Sequence, residues 1–345
     1  MKAVLATPAL IDAAVADPVP GPHDLVLRVE ALAVNPVDTK VRAAIAPGGA
    51  GRILGWDAAG VVEACGEAVT RFRPGDAVMV AGDIRRPGCY AEELAVDARL
   101  CGRKPHNLSW AEAAALPLTT LTAWEGLFEG LGFAFEDGDA PDGGSPHGGR
   151  SGREAAGRSL LILGGAGGVG SIAIQLARIA GLRVIASASR PESQLWVKDM
   201  GADAVIDHHQ PLAPQLRQLG LEQVDAIANF ADTDAYWDQM GELIRPHGTL
   251  LVIVGNKSPL AMERLKQKSV RLCWEFMFSR SAEGGEGQSA QGQILDRLAD
   301  LVEAGKIRTT LTQTLSPISA ASLQQAHDLL ASGRTLGKIA LQGWD

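Results

Sequence analysis

The 345-residue sequence predicts a two-domain α/β protein in which a strand-rich domain precedes a doubly wound parallel sheet. Three observations predict it. The length exceeds what one hydrophobic core usually organises. The first 125 or so residues hold short apolar runs broken by Pro and Gly. From Ser159 onward, short apolar strands alternate with helical periodicities behind a Gly-rich turn.

Along the first domain, the runs DLVLRVEAL, GVVEACG, DAVMVAG and AEELAV read as strands, with FRPGD at 72–76 as a turn between them. At Ser109 the pattern becomes helical. Ser109 can cap a helix with Glu112 three residues later, and Pro117 interrupts the helical run. Residues 136–158 are Gly-rich and charged with almost nothing apolar, which predicts a mobile surface loop and no function for His147.

The alternation that follows is strand SLLIL, a helix from about Gly168 to Ala180, strand LRVIAS, helix ESQLWVKDMG, strand DAVID, a helix around 212–219, strand VDAIANF, helix AYWDQMGELI and strand GTLLVIVG. Repeated β-α units of these lengths predict a parallel sheet covered on both faces. A helix, ISAASLQQAHDLLASG, and a closing strand, GKIALQ, end the chain and could belong to either domain.

Composition narrows the partners. With 32 basic against 40 acidic residues, the net charge of −8 is spread without a long run of one sign, which argues against a nucleic acid or an anionic membrane surface. Cys65, Cys89, Cys101 and Cys273 match neither a zinc-ligand spacing nor a disulfide framework and are read as reduced thiols. No 18-residue apolar span and no basic leader appear, so a soluble, cytoplasmic protein is expected.

LLILGGAGGVGSIAIQLAR carries Gly165, Gly167 and Gly170 as G-x-G-x-x-G, directly after a strand and opening an amphipathic helix. In the segment Gly165, Ala166, Gly167, Gly168, Val169 and Gly170, glycines permit the tight turn, while free N–H groups at the helix start face an anion. A dinucleotide is the expected ligand of this Rossmann arrangement. About twenty residues on, where an acidic residue would select NAD, stand Ser187, Ala188, Ser189 and Arg190. Hydroxyls and a guanidinium there favour the 2′-phosphate of NADPH; a solvated arginine before Pro191 is the plain alternative.

The motifs NPVDTKVR, ILGWDAAGVV, RFRPGDAV, EAAALPLTTLTAWEGL, GGAGGVGSIAIQLAR, ASRPES, WEFMFSR and GKIRTT, in this order over nearly the whole chain, resemble the medium-chain dehydrogenase/reductase superfamily. The likeness is to its quinone oxidoreductase and enoyl-reductase branch, including bacterial zinc-type alcohol dehydrogenase-like proteins. The resemblance implies a GroES-like catalytic domain over 1–124 and 307–345, a Rossmann domain over 125–306, a cleft between them and a homodimer paired through cofactor-domain sheet edges. In the zinc-using branch a cysteine ligand falls at Asn35 or Pro36 and a histidine ligand at Trp56, so no metal is expected. Without a Lewis acid, hydride addition to a quinone or conjugated carbonyl is the expected chemistry.

By resemblance, Asn35, Trp56 and Thr120 face the nicotinamide, Val254 and Gly255 meet its carboxamide, and Asn229 to Ala231 lie near the adenosine half. Asn35 could instead only shape the Asn-Pro turn. Asp57 occupies the place of a carboxylate behind the zinc; it could orient a polar group, contact Arg42 or serve as a turn carboxylate. Tyr90 is a candidate proton donor or a structural strand start, and solvent is the other proton source. WEFMF at 274–278 could wall the nicotinamide pocket or form a buried strand, and His208 and His209 read as surface residues. Two rivals stay open: a zinc alcohol dehydrogenase using Asp38 and Asp57, and a non-catalytic NADPH-binding sensor.

Overall fold

The structure is a computed structural model that describes residues 1–49, 51–135, 154–284 and 287–344. The segment expected to be mobile lies outside the described residues as far as 153, His147 included. Its last part is packed rather than loose. Gly157 N–H donates to Gly181 O at 3.0 Å, and Arg158 reaches Asp225 at 3.2 Å, which ties this stretch to the second unit's sheet.

The chain forms two compact units, Met1–Leu121 with Met277–Asp345, and Thr122–Phe276. In the first unit, β1 (Lys2–Ala6), β2 (Leu10–Ala14) and β3 (Asp24–Ala33) precede α1 (Pro36–Ala43). Then come β4 (Arg52–Ile53), β5 (Ala58–Cys65), β6 (Ala77–Val80), β7 (Glu93–Asp97), β8 (Gly102–Arg103), α2 (Trp110–Ala114) and α3 (Pro117–Trp124). The expected capping box opens α2: Glu112 N–H donates to Ser109 Oγ at 3.3 Å, and Ser109 N–H to Glu112 Oε2 at 2.8 Å. Pro117 cannot donate to the preceding turn, so the helix stops at Ala114 and restarts as α3, which runs on into a π-helical turn at Glu125–Gly130.

The second unit is the βα alternation. β9 (Ser159–Leu163), α4 (Gly168–Ile179), β10 (Arg183–Ser187), α5 (Pro191–Asp199), β11 (Ala204–Ile206), α6 (Leu212–Gln218), β12 (Val224–Asn229), α7 (Thr233–Leu243), β13 (Ile244–Val252), α8 (Glu263–Gln267) and β14 (Arg271–Trp274) follow in order. All pairings in this sheet are parallel, in the order β11-β10-β9-β12-β13-β14. A core of Leu161, Leu163, Ile185, Trp237, Met240 and Leu250, among others, fills one of its faces. β13 ends at Val252, so Val254 and Gly255 follow the strand instead of ending it.

The chain then returns to the first unit through α9 (Phe278–Glu283), α10 (Gln288–Glu303), β15 (Leu311–Leu315), α11 (Ala320–Ala331) and β16 (Lys338–Gln342). β16 pairs with β3 to continue the main sheet, β15-β16-β3-β5-β6-β8, with β7 also on β3. The boundaries thus differ from the expected 125–306 at both ends, and residues 277–306 belong with the first unit. Close packing explains it. A Cβ on Gly102 of β8 would stand 2.3 Å from Leu295 Cβ, and one on Gly292 of α10 would stand 2.6 Å from Arg99 O. Arg71 and Arg103 meet Asp296, Asp300 and Glu303 of α10 across the same seam.

The seam makes a prediction for stability. Gly292→Ala will lower the unfolding free energy by about 1–3 kcal/mol in urea titrations, because backbone carbonyls cannot yield to the added methyl. Gly287→Ala, where a Cβ meets nothing within 4 Å, will stay within about 0.5 kcal/mol of wild type.

Candidate active site

In the first unit a buried polar cluster gathers residues far apart in sequence. Asn35 ends the run from β3 and stands at the N-cap of α1 in extended conformation (φ −133°, ψ 154°), with Pro36 taking the first helical position, where a missing N–H costs nothing. Its backbone N–H donates to Asp38 Oδ2 at 2.8 Å. Its side-chain Nδ2 donates to Asp57 Oδ2 at 2.8 Å. Lys338, at the start of β16, sends its three N–H groups to Val34 O (3.0 Å), Asn35 Oδ1 (2.5 Å) and Asp57 Oδ2 (2.8 Å). Asp57 Oδ1 accepts the Leu118 N–H at 2.7 Å, so this carboxylate also caps the start of α3.

Burial raises the Asp57 pKa, with Lys338 the first influence to oppose it. Every neighbour of its two oxygens is a donor, which leaves no acceptor for a carboxyl proton and fixes the group as a carboxylate. Arg42 does not reach it. Arg42 instead donates to Pro8 O and Gln324 and approaches His327 Nδ1 at 3.4 Å.

A second chain runs from that contact. His327 Nε2 stands 3.0 Å from the Tyr90 hydroxyl, which donates to Asp38 Oδ2 at 2.9 Å. With Arg42 donating to Nδ1, the consistent tautomer carries its proton on Nε2 and donates to Tyr90. Burial pushes Asp38 up to about 7, and Asp38 Oδ1 has no partner. Burial, helped by Arg42, pushes His327 down to about 4.

Tyr90 is therefore an interior residue. It is fully buried with its hydroxyl between Asp38 and His327, a place that fits the structural alternative and not a proton donor to a substrate. Trp56 is also buried, its Nε1 donating to Asp83 O at 3.1 Å and its ring edge-on to Phe278 at 5.9 Å. Thr120 is fully buried on α3, and its hydroxyl has no partner. Of WEFMF, Trp274 and Phe276 are about half exposed, while Met277 and Phe278 are buried in the first unit.

These residues do not fit a zinc ion. The places that the resemblance gives to the two zinc ligands hold Asn35 or Pro36 and Trp56, and Asp57 has its oxygens committed to an ammonium and two N–H donors. Among the described residues no group of three or more His, Cys, Asp or Glu side chains is placed to hold a metal. The two carboxylates of the zinc rival, Asp38 and Asp57, face different donors on either side of Asn35.

The second unit holds the phosphate loop. Gly164 turns the chain with φ +80°, a conformation that favours glycine. A Cβ on Gly170 would lie 2.3 Å from Gly164 O, one on Gly165 2.9 Å from Ala186 Cβ, whereas the nearest atom to one on Gly167 is 3.6 Å away. The first two glycines are needed for packing and the third keeps the approach to the helix start open. Gly168, Val169 and Gly170 begin α4, whose first-turn N–H groups have no intrahelical partners; Ala166 precedes them in the turn. That cradle fits a diphosphate.

The remaining expected contacts divide. Ser187 is buried and accepts the Gly164 N–H at 3.1 Å, so it braces the loop. Ser189 and Arg190 are half-buried beyond β10, with Arg190 Nε 2.9 Å from Glu192. Asn229 is buried and closes a turn by accepting Ala231 N–H at 3.0 Å. Val254 O accepts from Thr233 Oγ1 at 2.5 Å, and Gly255 is exposed with nothing within 4 Å of a Cβ. His208 and His209 stack edge to face at 4.7 Å; His208 is only half exposed, its Nδ1 buried and unpartnered.

Missing from the sequence reading were Lys338 and His327. A lysine opening the otherwise apolar strand KIAL was the available signal for the first; nothing local marked the second.

The two perturbed groups give opposite pH slopes. A neutral buried His327 contributes stability above about pH 6.5 that is lost as pH falls toward 4. A raised Asp38 contributes stability below about pH 4 that is lost as pH rises through 7. His327→Gln will therefore gain on wild type at pH 5 relative to pH 7.5, and Asp38→Asn will gain at pH 7.5 relative to pH 5. Each slope is at most about 1.4 kcal/mol per pH unit in urea titrations.

The alcohol dehydrogenase GroES-like domain matches residues 21–115, and the zinc-binding dehydrogenase family matches residues 200–341. A zinc-type alcohol dehydrogenase-like protein of Staphylococcus epidermidis is 37% identical over 94% of this chain and 92% of its own length. A 2-methylene-furan-3-one reductase of Solanum lycopersicum is 30% identical over 92% of this chain and 71% of its own. Among solved structures, a Rhizobium etli protein provisionally labelled a zinc-dependent alcohol dehydrogenase superposes with TM-score 0.89 at 44% identity, covering 100% of this chain and 98% of that one. A Pseudomonas syringae quinone oxidoreductase gives 0.78 at 27% identity over 99% of both chains. A mycobacterial protein complexed with NADPH gives 0.80 at 27% identity over 99% of this chain and 100% of its own. A GroES-like sheet and a Rossmann sheet in one chain, with relatives aligned along almost all of it, make this protein an oxidoreductase of the medium-chain dehydrogenase/reductase superfamily.

Proposed function

We propose that the chain is an NADPH-dependent reductase of quinones or α,β-unsaturated carbonyls that works without a catalytic metal. The observation that carries this reading is the Asn35–Asp57–Lys338 cluster, in which the carboxylate that the resemblance sets behind the zinc is paired with a protein cation and an amide. The tomato reductase, the Pseudomonas quinone oxidoreductase and the NADPH-bound mycobacterial protein support it as relatives.

When bound, NADPH supplies a hydride to an electron-poor carbon. The chain's own residues do the rest. The N–H groups that open α4 hold the diphosphate, and Arg190 with Ser189 receives the 2′-phosphate in exchange for the exposed ion pair with Glu192, which contributes little. Asn35 and the unpartnered Thr120 hydroxyl supply donors to cofactor or substrate oxygens. Asp57 holds Asn35 and the start of α3 in fixed relation. Protons come from solvent, since Tyr90 is committed inside the network.

We further propose a homodimer formed through β14, one of the two edge strands of the six-stranded sheet, where Trp274 is 51% exposed. Trp274→Arg will shift the sedimentation of the protein from dimer to monomer.

The enzymatic reading is tested with metal-analysed protein and NADPH, offered 1,4-benzoquinone, 9,10-phenanthrenequinone, an enal, an enone and a simple aldehyde, with and without chelator. The expected result is chelator-insensitive turnover of a quinone or enone. Chelator-sensitive aldehyde reduction with bound zinc would overturn it, and tight NADPH binding with no turnover would favour the sensor. Arg190→Ala will raise the KM for NADPH about 10-fold or more while leaving that for NADH nearly unchanged.

A further inference from the structure

The hydrogens of Lys338 and Asn35 can be counted. The ammonium has three, all used: Val34 O, Asn35 Oδ1 and Asp57 Oδ2. It is buried with its side chain 4% exposed, and it has no hydrogen left for a ligand. The Asn35 amide has two, of which one goes to Asp57 Oδ2 and the other has no protein partner. The amide cannot turn over. A flip would set its NH2 against the ammonium and its oxygen against the Asp57 carboxylate.

A cation on the amide oxygen at 2.5 Å draws electron density from the nitrogen and strengthens its remaining N–H as a donor, an effect that low local dielectric amplifies. If Lys338 only neutralised Asp57, the contact to Asn35 Oδ1 would be dispensable. It is instead the shortest of the three.

We propose that Lys338 is a positioning residue that polarises the Asn35 carboxamide into a donor for the oxyanion formed when the substrate is reduced. The inference rests on the reductase reading and deepens it. In the enone case, hydride from NADPH forms the new C–H bond at the β-carbon, the double-bond electrons move onto the carbonyl oxygen as an enolate, and NADP⁺ is the oxidised product. Asn35 Nδ2–H meets that oxygen, and a solvent proton then completes the α-carbon.

The test uses full-length protein and two readouts. The first is binding of substituted phenols, as enolate mimics, to the cofactor-free chain, followed by intrinsic fluorescence above and below each phenol's pKa. Wild type is expected to bind phenolates about 10-fold more tightly than the neutral phenols. Lys338→Gln will lose that preference, Lys338→Arg will keep it, and Asn35→Ala will abolish it whatever stands at 338. The second is steady-state kinetics with an enone. Asn35→Ala will lower kcat about 100-fold, in the range of one lost oxyanion donor, and Lys338→Gln about 10-fold.

A folded Lys338→Gln with wild-type phenolate preference and kcat would overturn the proposal. Should Lys338→Gln fail to fold, ¹⁵N-asparagine spectra of wild type decide, since the chain has four asparagines and Asn35→Ala identifies the signal. One Asn35 amide proton must move downfield on phenolate binding, and an unmoved signal refutes the idea. If no acceptor is turned over with NADPH, the reductase reading fails, while the phenolate measurements still decide whether Asn35 is polarised.

Discussion

The first unit depends on one buried ion pair. Lys338 and Asp57 meet at 2.8 Å with side chains 4% and 0% exposed, which would be costly if either charge lacked a full set of partners. Both have them. The ammonium's three bonds and the carboxylate's three acceptances draw together residues 34–35, 57, 118 and 338, four segments from the two ends of the unit. The pairing of β16 with β3 in register Ala340 with Ala33 is what delivers Lys338 to Asn35, and Lys338 in turn pins that register from below. Sheet order and polar cluster are therefore one constraint seen twice. The same logic extends through Asp38, Tyr90 and His327 to Arg42, which joins α1, the segment before β7 and α11.

The Rossmann half was legible because its determinants are local. The G-x-G-x-x-G turn, the apolar five-residue strands and the helical runs between them each declare their structure within a dozen residues, and the observed parallel order follows from their alternation. Ser109, Glu112 and Pro117 likewise act on their own neighbours. The placement of α10 was not legible, because it rests on Gly102 and Gly292 having no Cβ, which matters only when two distant segments touch. The site was legible in part. Asn35 and Asp57 stand out by their motifs, but the group that gives them meaning is a lysine 281 residues further on. In sequence Tyr90 stood open between a proton donor and a structural strand start; its burial is set by Gly55, whose missing Cβ leaves room for the ring.

Ser187 braces the Gly-rich turn from the neighbouring strand. Its hydroxyl accepts the Gly164 N–H, so the turn that starts the phosphate cradle is braced by the end of the neighbouring strand. Beyond the same strand the half-buried Arg190 is paired with Glu192 at 2.9 Å, at the place where the sequence offers a guanidinium and no carboxylate.

The cluster also shows what the buried carboxylate does for the shared framework. What the families have in common is the framework, and a carboxylate at position 57 is useful to it with or without a metal, since it caps α3 and anchors the residue at 35. In this chain the positive charge beside that carboxylate is the Lys338 ammonium at 2.8 Å. A saturated ammonium cannot reach a ligand itself. Its contact with Asn35 Oδ1 links the buried charge to an amide whose second N–H has no protein partner.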